Sequence, residues 1–281
     1  MKKNILVVTF SPGGGCAELA DAATVILDRA GYEVECLDIT YADDREAACG
    51  LEIHVDLMLL IAPVYLRHLP PPVEYFISRS QLFVEKAALV LGYGSCGVGC
   101  APEEARKLFD LAEVPLCRIM TCPLPHTFAD CVEEKQVLPD SLGDVGRFIL
   151  SVVADDDREE KPIEKRSFDI IGKLPYNITK RLAFGFPKTV SADCTFCGTC
   201  AKVCPTEAIT LDKFKIDSER CIGCSACVRA CPKGAKSINR YPWTKAILRR
   251  GFAEVKYPEE ITVRKPSMPS GRPIPTRSRC I

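Results

Sequence analysis

Apolar residues in the first 155 positions fall into short unbroken runs separated by amphipathic stretches. The runs "NILVVTF", "VDLMLLIAPV" and "KAALVLGY" show no alternation of apolar and polar positions. That is the pattern of strands buried on both faces of a parallel sheet. "YEVECLDI" and "VPLCRIMTC" supply two more strands. Between them the period changes to that of a helix: Leu19, Ala23, Ile26, Leu27 and Ala30 make one stripe, and Gly31 ends it. Pro70 to Pro72 can open a helix at "VEYFISRS", because proline is tolerated in a first helical turn. "APEEARKLFDLAE" and "PDSLGDVGRFILSVVAD" are helical as well. The alternation predicts a doubly wound α/β domain over residues 1–155, with five parallel strands joined by right-handed crossovers.

Sheets of this class bind ligands beyond the carboxyl ends of their strands, where strand order reverses. "TFSPGGGCAELA", Thr9 to Ala20, occupies one such end. It lacks the GKS or GKT of a Walker A loop, and Glu18 stands where a dinucleotide fingerprint wants its third glycine or alanine. A mononucleotide remains. On Ser11, Gly14 and the helix through Ala20, the stretch resembles the flavin-phosphate loop of flavodoxins, commonly Ser-x-Thr-Gly-Asn-Thr. Gly13 replaces a hydroxyl residue of that loop, Gly15 an asparagine and Cys16 a second hydroxyl residue. Each lost hydrogen bond to a charged group is worth ~1.5–3 kcal/mol. Backbone N–H groups at a helix N-terminus nevertheless hold phosphate by themselves, and glycines let that backbone approach closely. The resemblance implies an FMN site at Ser11, Gly13, Gly14, Gly15 and Cys16. It sets the flavin ring between "PVYLRHLP" and "GYGSCGVG", with Tyr65 and Tyr93 as stacking candidates and Gly94 beside them. The residues alone leave open a tight turn that binds nothing.

The second half carries a repeated motif. "CTFCGTCAKVCP" from Cys194 and "CIGCSACVRACP" from Cys221 both read CxxCxxCxxxCP. Three thiolates at this spacing can wrap one cubane while the fourth, before Pro205 or Pro232, serves the other cluster. Cys194, Cys197, Cys200 and Cys231 are therefore assigned to one 4Fe-4S centre, and Cys221, Cys224, Cys227 and Cys204 to the second. Two CxxC pairs also make a structural zinc site, but zinc takes four thiolates and the segment offers two matching sets. From about Ser191 to Asn239 the repeat resembles the bacterial two-cluster ferredoxin, which implies a small α+β domain with a pseudo-two-fold ββ-α arrangement. "AITLDKFKID" reads as strand, turn and strand between the motifs.

Charge sharpens the division. Residues 1–157 hold 12 Lys/Arg against 25 Asp/Glu, and the rest hold 25 against 12. An acidic half joins a basic one. Lys202, Lys213, Lys215, Arg220, Arg229, Lys233 and Lys236 lie in or beside the cysteine motifs, where they offset anionic clusters. Seventeen cysteines would mean disulfides in a secreted chain. Here the opening Met1-Lys2-Lys3 precedes too short an apolar run for an export signal, and "LMLLIAPVYL" is about half a bilayer span with a proline inside it. The expected location is the cytoplasm, with reduced thiols.

A flavodoxin-like domain (1–155), a linker (156–188), a two-cluster ferredoxin domain (189–240) and a basic Pro-rich tail (241–281) together resemble the flavodoxin and ferredoxin fusions of anaerobic prokaryotes, some of them iron-sulfur flavoproteins. The resemblance implies an electron-transfer protein with two 4Fe-4S clusters and FMN, whose partners are redox proteins. Two other readings stay open: a flavin-free docking adaptor that delivers the clusters to a partner enzyme, and an oxidoreductase acting on a small molecule at the flavin edge. "LPYNITKRLAFGFPK" is either a packed linker or a helix that docks a membrane surface or partner, and the tail is expected to be disordered. Cys16 is either a thiol activated by the helix N-terminus or a small packed residue. Cys96 and Cys100 lack the third cysteine of a radical-SAM site, and Cys117, Cys122 and Cys131 show no ligand spacing; His126, after the fifth strand, is either within reach of a flavin or partner or an ordinary loop histidine.

Overall fold

The computed structural model describes residues 3–94, 97–125, 127, 141–155, 174–183, 186–189, 192–212, 214–238, 241–243 and 246. Cys96, His126, Cys131, nearly all of the tail and residues 156–173 of the linker lie outside the described residues. The N-terminal part runs β1 (Asn4–Thr9), α1 (Gly15–Arg29), β2 (Glu33–Asp38), α2 (Ala42–Cys49), β3 (Glu52–Pro63), α3 (Pro71–Arg79), β4 (Gln81–Tyr93), α4 (Ala101–Leu111), β5 (Leu116–Pro123) and α5 (Ser141–Val153). Every strand pair is parallel and the sheet order is β2-β1-β3-β4-β5. This is the flavodoxin order, whose ligand crevice lies at the switch between β1 and β3.

The unbroken apolar runs become strands buried on both faces. Leu57, Leu59 and Ile61 of β3 pack beneath α1 and α5, against Leu19, Ala23, Leu27, Val145 and Ile149. Met58, Leu60 and Ala62 face the other way, toward Val73, Phe76, Ala105 and Phe109 of α3 and α4. Three elements differ from the sequence expectation. β3 and β4 begin several residues before their apolar runs, at Glu52 and Gln81. There alternate residues are exposed, so the strand continues without a covering helix on one face. α2 has no apolar stripe to announce it; only Arg45 and Ala48 of its eight residues are buried.

The remainder comprises α6 (Tyr176–Ala183), β6 (Pro187–Thr189), α7 (Thr199–Lys202), α8 (Ala226–Arg229) and β7 (Lys236–Ile238), with β6 and β7 paired antiparallel. "AITLDKFKID" shrinks to a single bridge between Ile209 and Ile216. α6 packs inward: the Tyr176 hydroxyl donates to the Ile222 carbonyl (2.8 Å) and Lys180 Nζ to that of Glu219 (3.0 Å). Among the described residues no helix is long and apolar enough to cross a membrane.

The cysteine repeat is also a repeat of backbone conformation. Phe196, Gly198 and Glu207 have φ of 56°, 76° and 50°, and their counterparts Gly223, Ser225 and Gly234 have 72°, 62° and 62°. Each pair is separated by the same interval as Cys194 and Cys221. The hydrogen bonds repeat as well: the N–H of Ala208 donates to Cys204 Sγ and that of Ala235 to Cys231 Sγ, both at 3.2 Å.

Candidate functional site

Eight cysteines stand around two small cavities open to solvent. Cys194, Cys197, Cys200 and Cys231 line the first, and Cys204, Cys221, Cys224 and Cys227 line the second. Each motif thus gives three thiols to its own cavity and its fourth to the other. Cys200, Ile209, Phe214 and Cys227 form the apolar partition between them. Among the described residues no three His, Cys, Asp or Glu side chains converge on one metal ion. Thiols that ring a cavity suit a group of several atoms, whereas zinc at about 2.3 Å from each sulfur would draw them to a point.

The surroundings fit such a group. Ser225 is 3% exposed, lines the second cavity and has no hydrogen-bond partner for its hydroxyl among the described residues. A buried hydroxyl left alone costs free energy, so it wants an acceptor where the cavity is. At the first cavity Lys236, 4% exposed, donates to Thr189 Oγ1 (2.6 Å) and to the Phe214 carbonyl (3.1 Å), holding a cation against the lining. Burial pushes the Cys224 thiol up and brings Cys227 to about 12, so neither is a thiolate without a metal. Cys197 is exposed, and its pKa is lowered by the hydroxyl and N–H of Thr199.

The two cavities differ in their neighbours. Ile222, Cys224 and Ala226 belong to the same apolar cluster as Phe10, Ala62 and Tyr65 at the carboxyl edge of the sheet. Arg45 of α2, 7% exposed, reaches across with Nη2 to the carbonyl of Pro205 (3.2 Å), the residue after Cys204. Near the first cavity, Phe196 packs on Phe214 (ring centroids 5.5 Å apart) and Leu211 lies beside Gly198; Phe196 and Leu211 are 66% and 64% exposed.

At the carboxyl edge, α1 starts at Gly14, whose φ of 88° favours glycine. No side chain caps the Gly14 position; Ser11 Oγ instead accepts from the N–H of Ala17 (2.9 Å). Ser11 is tied in turn through its own N–H to Thr40 Oγ1 (2.8 Å). Among the described residues the N–H groups of Gly13, Gly15 and Cys16 have no backbone acceptor, which leaves a donor nest at the helix start. A Cβ on Gly13 would stand 2.9 Å from Thr127 Cγ2, 3.3 Å from Arg229 Nη1 and 3.8 Å from Tyr65 Oη. Gly15 faces Leu124 at 3.4 Å. The volume that a side chain at 13 would fill is held by groups from three other segments.

Tyr65 is 7% exposed, and its hydroxyl is buried without a partner among the described residues. It opens a tight turn in which Tyr65 and His68 exchange backbone bonds while Leu66 and Arg67 take φ of 56° and 72°. Glu104 of α4 holds that turn, with one oxygen 2.6 Å from His68 Nδ1 and the other accepting from the N–H of Leu69 (2.9 Å). Sequence spacing carries no trace of this clamp, nor of Arg45. Tyr93 ends β4 and accepts through its carbonyl from the Leu124 N–H (2.9 Å), with Gly94 following it. Cys16 is a packed residue, 2% exposed, and burial foremost, then Cys122, raises its pKa.

Residues 193–235 match the model of the 4Fe-4S dicluster domain family, which implies two 4Fe-4S clusters. Among curated proteins none matches the chain. Solved structures that align with it include an archaeal flavodoxin (12% identity, 54% of this chain and 97% of that one, TM-score 0.38). Flavodoxin 2 of Bacillus cereus aligns at 18% identity, over 54% of this chain and 99% of that one, with a TM-score of 0.38. The NAD(P)H:quinone oxidoreductase of Methanothermobacter marburgensis does so at 10%, over 57% and 99%, with 0.33. The fold rests on the strand order itself. The chain joins a flavodoxin-like α/β sheet to a 4Fe-4S dicluster domain and is an electron-transfer protein of iron-sulfur flavoprotein-like organisation.

Proposed function

We propose that Cys194, Cys197, Cys200 and Cys231 hold one cluster, that Cys204, Cys221, Cys224 and Cys227 hold the other, and that the carboxyl edge of the sheet binds FMN. The observation that carries the cluster assignment is the sorting of the two motifs into two interlaced sets around separate cavities. The clusters supply single-electron chemistry, and a flavin supplies one- or two-electron chemistry. The chain's own residues set the arrangement. Cys224 and Ala226 press the second cavity against Tyr65 and the sheet. The exposed Cys197 and Phe196 leave the first cavity facing solvent, where a redox partner protein approaches. The protein thereby connects an outside donor or acceptor with the nucleotide edge of the α/β domain.

The donor nest at Gly13, Gly15 and Cys16 supports a phosphate there. The packing of Leu124 against Gly15 and of Thr127 against Gly13 favours the second reading, a flavin-free adaptor. Anaerobic reconstitution followed by a cofactor inventory decides between them. Iron and acid-labile sulfide in equal amount with stoichiometric FMN is the expected result. Clusters without FMN leave the adaptor, and zinc without sulfide overturns both. Cys197→Ser and Cys224→Ser are each expected to remove one of two paramagnetic signals of the reduced protein.

A further inference from the structure

We infer that Arg229, in the cluster-binding domain, completes an anion site at the N-terminus of α1, and that the site takes a phosphate monoester gripped by both domains at once. The loop 11–16 has lost the hydroxyl and amide donors that its resemblance to flavodoxins calls for, and its backbone N–H groups are short of polar company. The structure supplies substitutes from elsewhere in the chain. Arg229 Nη1 and Tyr65 Oη stand 3.3 and 3.8 Å from the place of a Cβ on Gly13. Among the described residues no carboxylate pairs with Arg229. The Tyr65 hydroxyl, on a residue 7% exposed, has no acceptor among the described residues. The guanidinium and the phenol both stand beside Gly13, one residue before the N-cap of α1; all three groups are donors, and the chemistry they recognise together is an oxyanion. A Cβ on Gly13 would meet Thr127 Cγ2 at 2.9 Å and crowd Arg229 Nη1 at 3.3 Å, so glycine lets both stand close to the loop.

Arg229 lies between Cys227 and Cys231, so its position depends on the loop that the clusters organise. Anion binding and cluster binding are therefore linked. By reciprocity, the factor by which cluster loading tightens phosphate is the factor by which phosphate tightens the clusters. Phosphate is expected to bind more weakly to the cluster-free chain and to slow cluster loss to a chelator.

The test uses the full chain, reconstituted without oxygen, with inorganic phosphate as the probe and phosphorus NMR and the thermal midpoint as readouts. Arg229→Gln is expected to weaken phosphate about ten- to a hundred-fold, the worth of a hydrogen bond to a charged group. Arg229→Lys should regain part of it, and Tyr65→Phe should lose about tenfold or less. Cluster absorbance is recorded for each variant. Should R229Q fail to hold its clusters, Y65F decides, since it leaves Arg229 and every cysteine in place. Undiminished phosphate affinity in R229Q and Y65F overturns the assignment, as does wild-type protein that binds no phosphate. The identity of the natural ligand rests on the flavin reading and is tested apart from the site, with FMN against riboflavin. A preference for FMN that R229Q abolishes supports both; phosphate binding that needs Arg229 in a protein that ignores FMN leaves the site standing and removes the flavin.

Discussion

Ser225 carries two unfavourable features at one position. Its φ of 62° lies in the left-handed region, where an L side chain costs roughly 1–2 kcal/mol, and its hydroxyl is buried without a protein partner. Its counterpart in the first motif is Gly198, which bears neither burden. With the proposed cluster in the second cavity, the hydroxyl would donate to cluster sulfur and so favour the more negative, reduced state. Ser225→Ala removes the donor alone and should lower that cluster's reduction potential by roughly 40 mV, the equivalent of about 1 kcal/mol for one electron. Ser225→Gly should lower it equally while raising stability by about 1 kcal/mol. Potentiometric titration and chemical denaturation separate the two effects; an unchanged potential in both variants would deny the hydroxyl that role. The cysteine motifs are legible in the sequence because ligand spacing is a property of the local chain. The unpartnered hydroxyls of Ser225 and Tyr65 are not legible, since each depends on what the folded chain withholds from it.

At the scale of elements, strands of the sheet are readable because a strand covered on both faces has no polar positions to interrupt its apolar run. α2 escapes that reading because "ADDREAAC" buries only two residues and its place is fixed by Arg45 binding the Ile39 and Thr40 carbonyls. The meeting of β4, β5 and α1 is just as silent in the sequence. Gly92 of β4 has room for no Cβ, which would lie 2.5 Å from Leu124 Cδ1 and 2.9 Å from Cys16 Sγ. Leu124 follows β5 and also closes on Gly15. Three elements and the glycine loop are therefore one packing unit. Gly92→Ala is expected to cost about 1–3 kcal/mol by overpacking. Leu124→Ala in the same chain should recover part of that loss, because it removes the nearer of the two contacts and leaves that with Cys16 Sγ. Urea denaturation of the two single variants and the double variant measures the coupling. Additive losses would mean that the strain is relieved elsewhere.

The whole molecule turns on how an α/β sheet and a cluster domain are held together, and Arg45 is the clearest tie. It is buried, and its guanidinium donates to three carbonyls, those of Ile39 (3.0 Å) and Thr40 (3.3 Å) at the carboxyl edge of the sheet and that of Pro205 (3.2 Å) beside Cys204. Burial lowers its pKa, but an arginine stays charged in proteins, and hydrogen bonds to carbonyl dipoles compensate the lost water. Arg45→Met keeps the length and apolar stem while leaving the carbonyls without their donor. The expected cost is about 3 kcal/mol, concentrated at the junction. Arg45→Lys, with a single ammonium in place of a planar fork, should fall between. Because Pro205 follows a proposed ligand of the second cluster, the loss should appear there first: chelator is expected to bleach half of the visible absorbance faster in R45M, with the other half unchanged. Equal bleaching of both halves would mean that the arginine stabilises the fold generally and does not anchor the second cavity to the sheet.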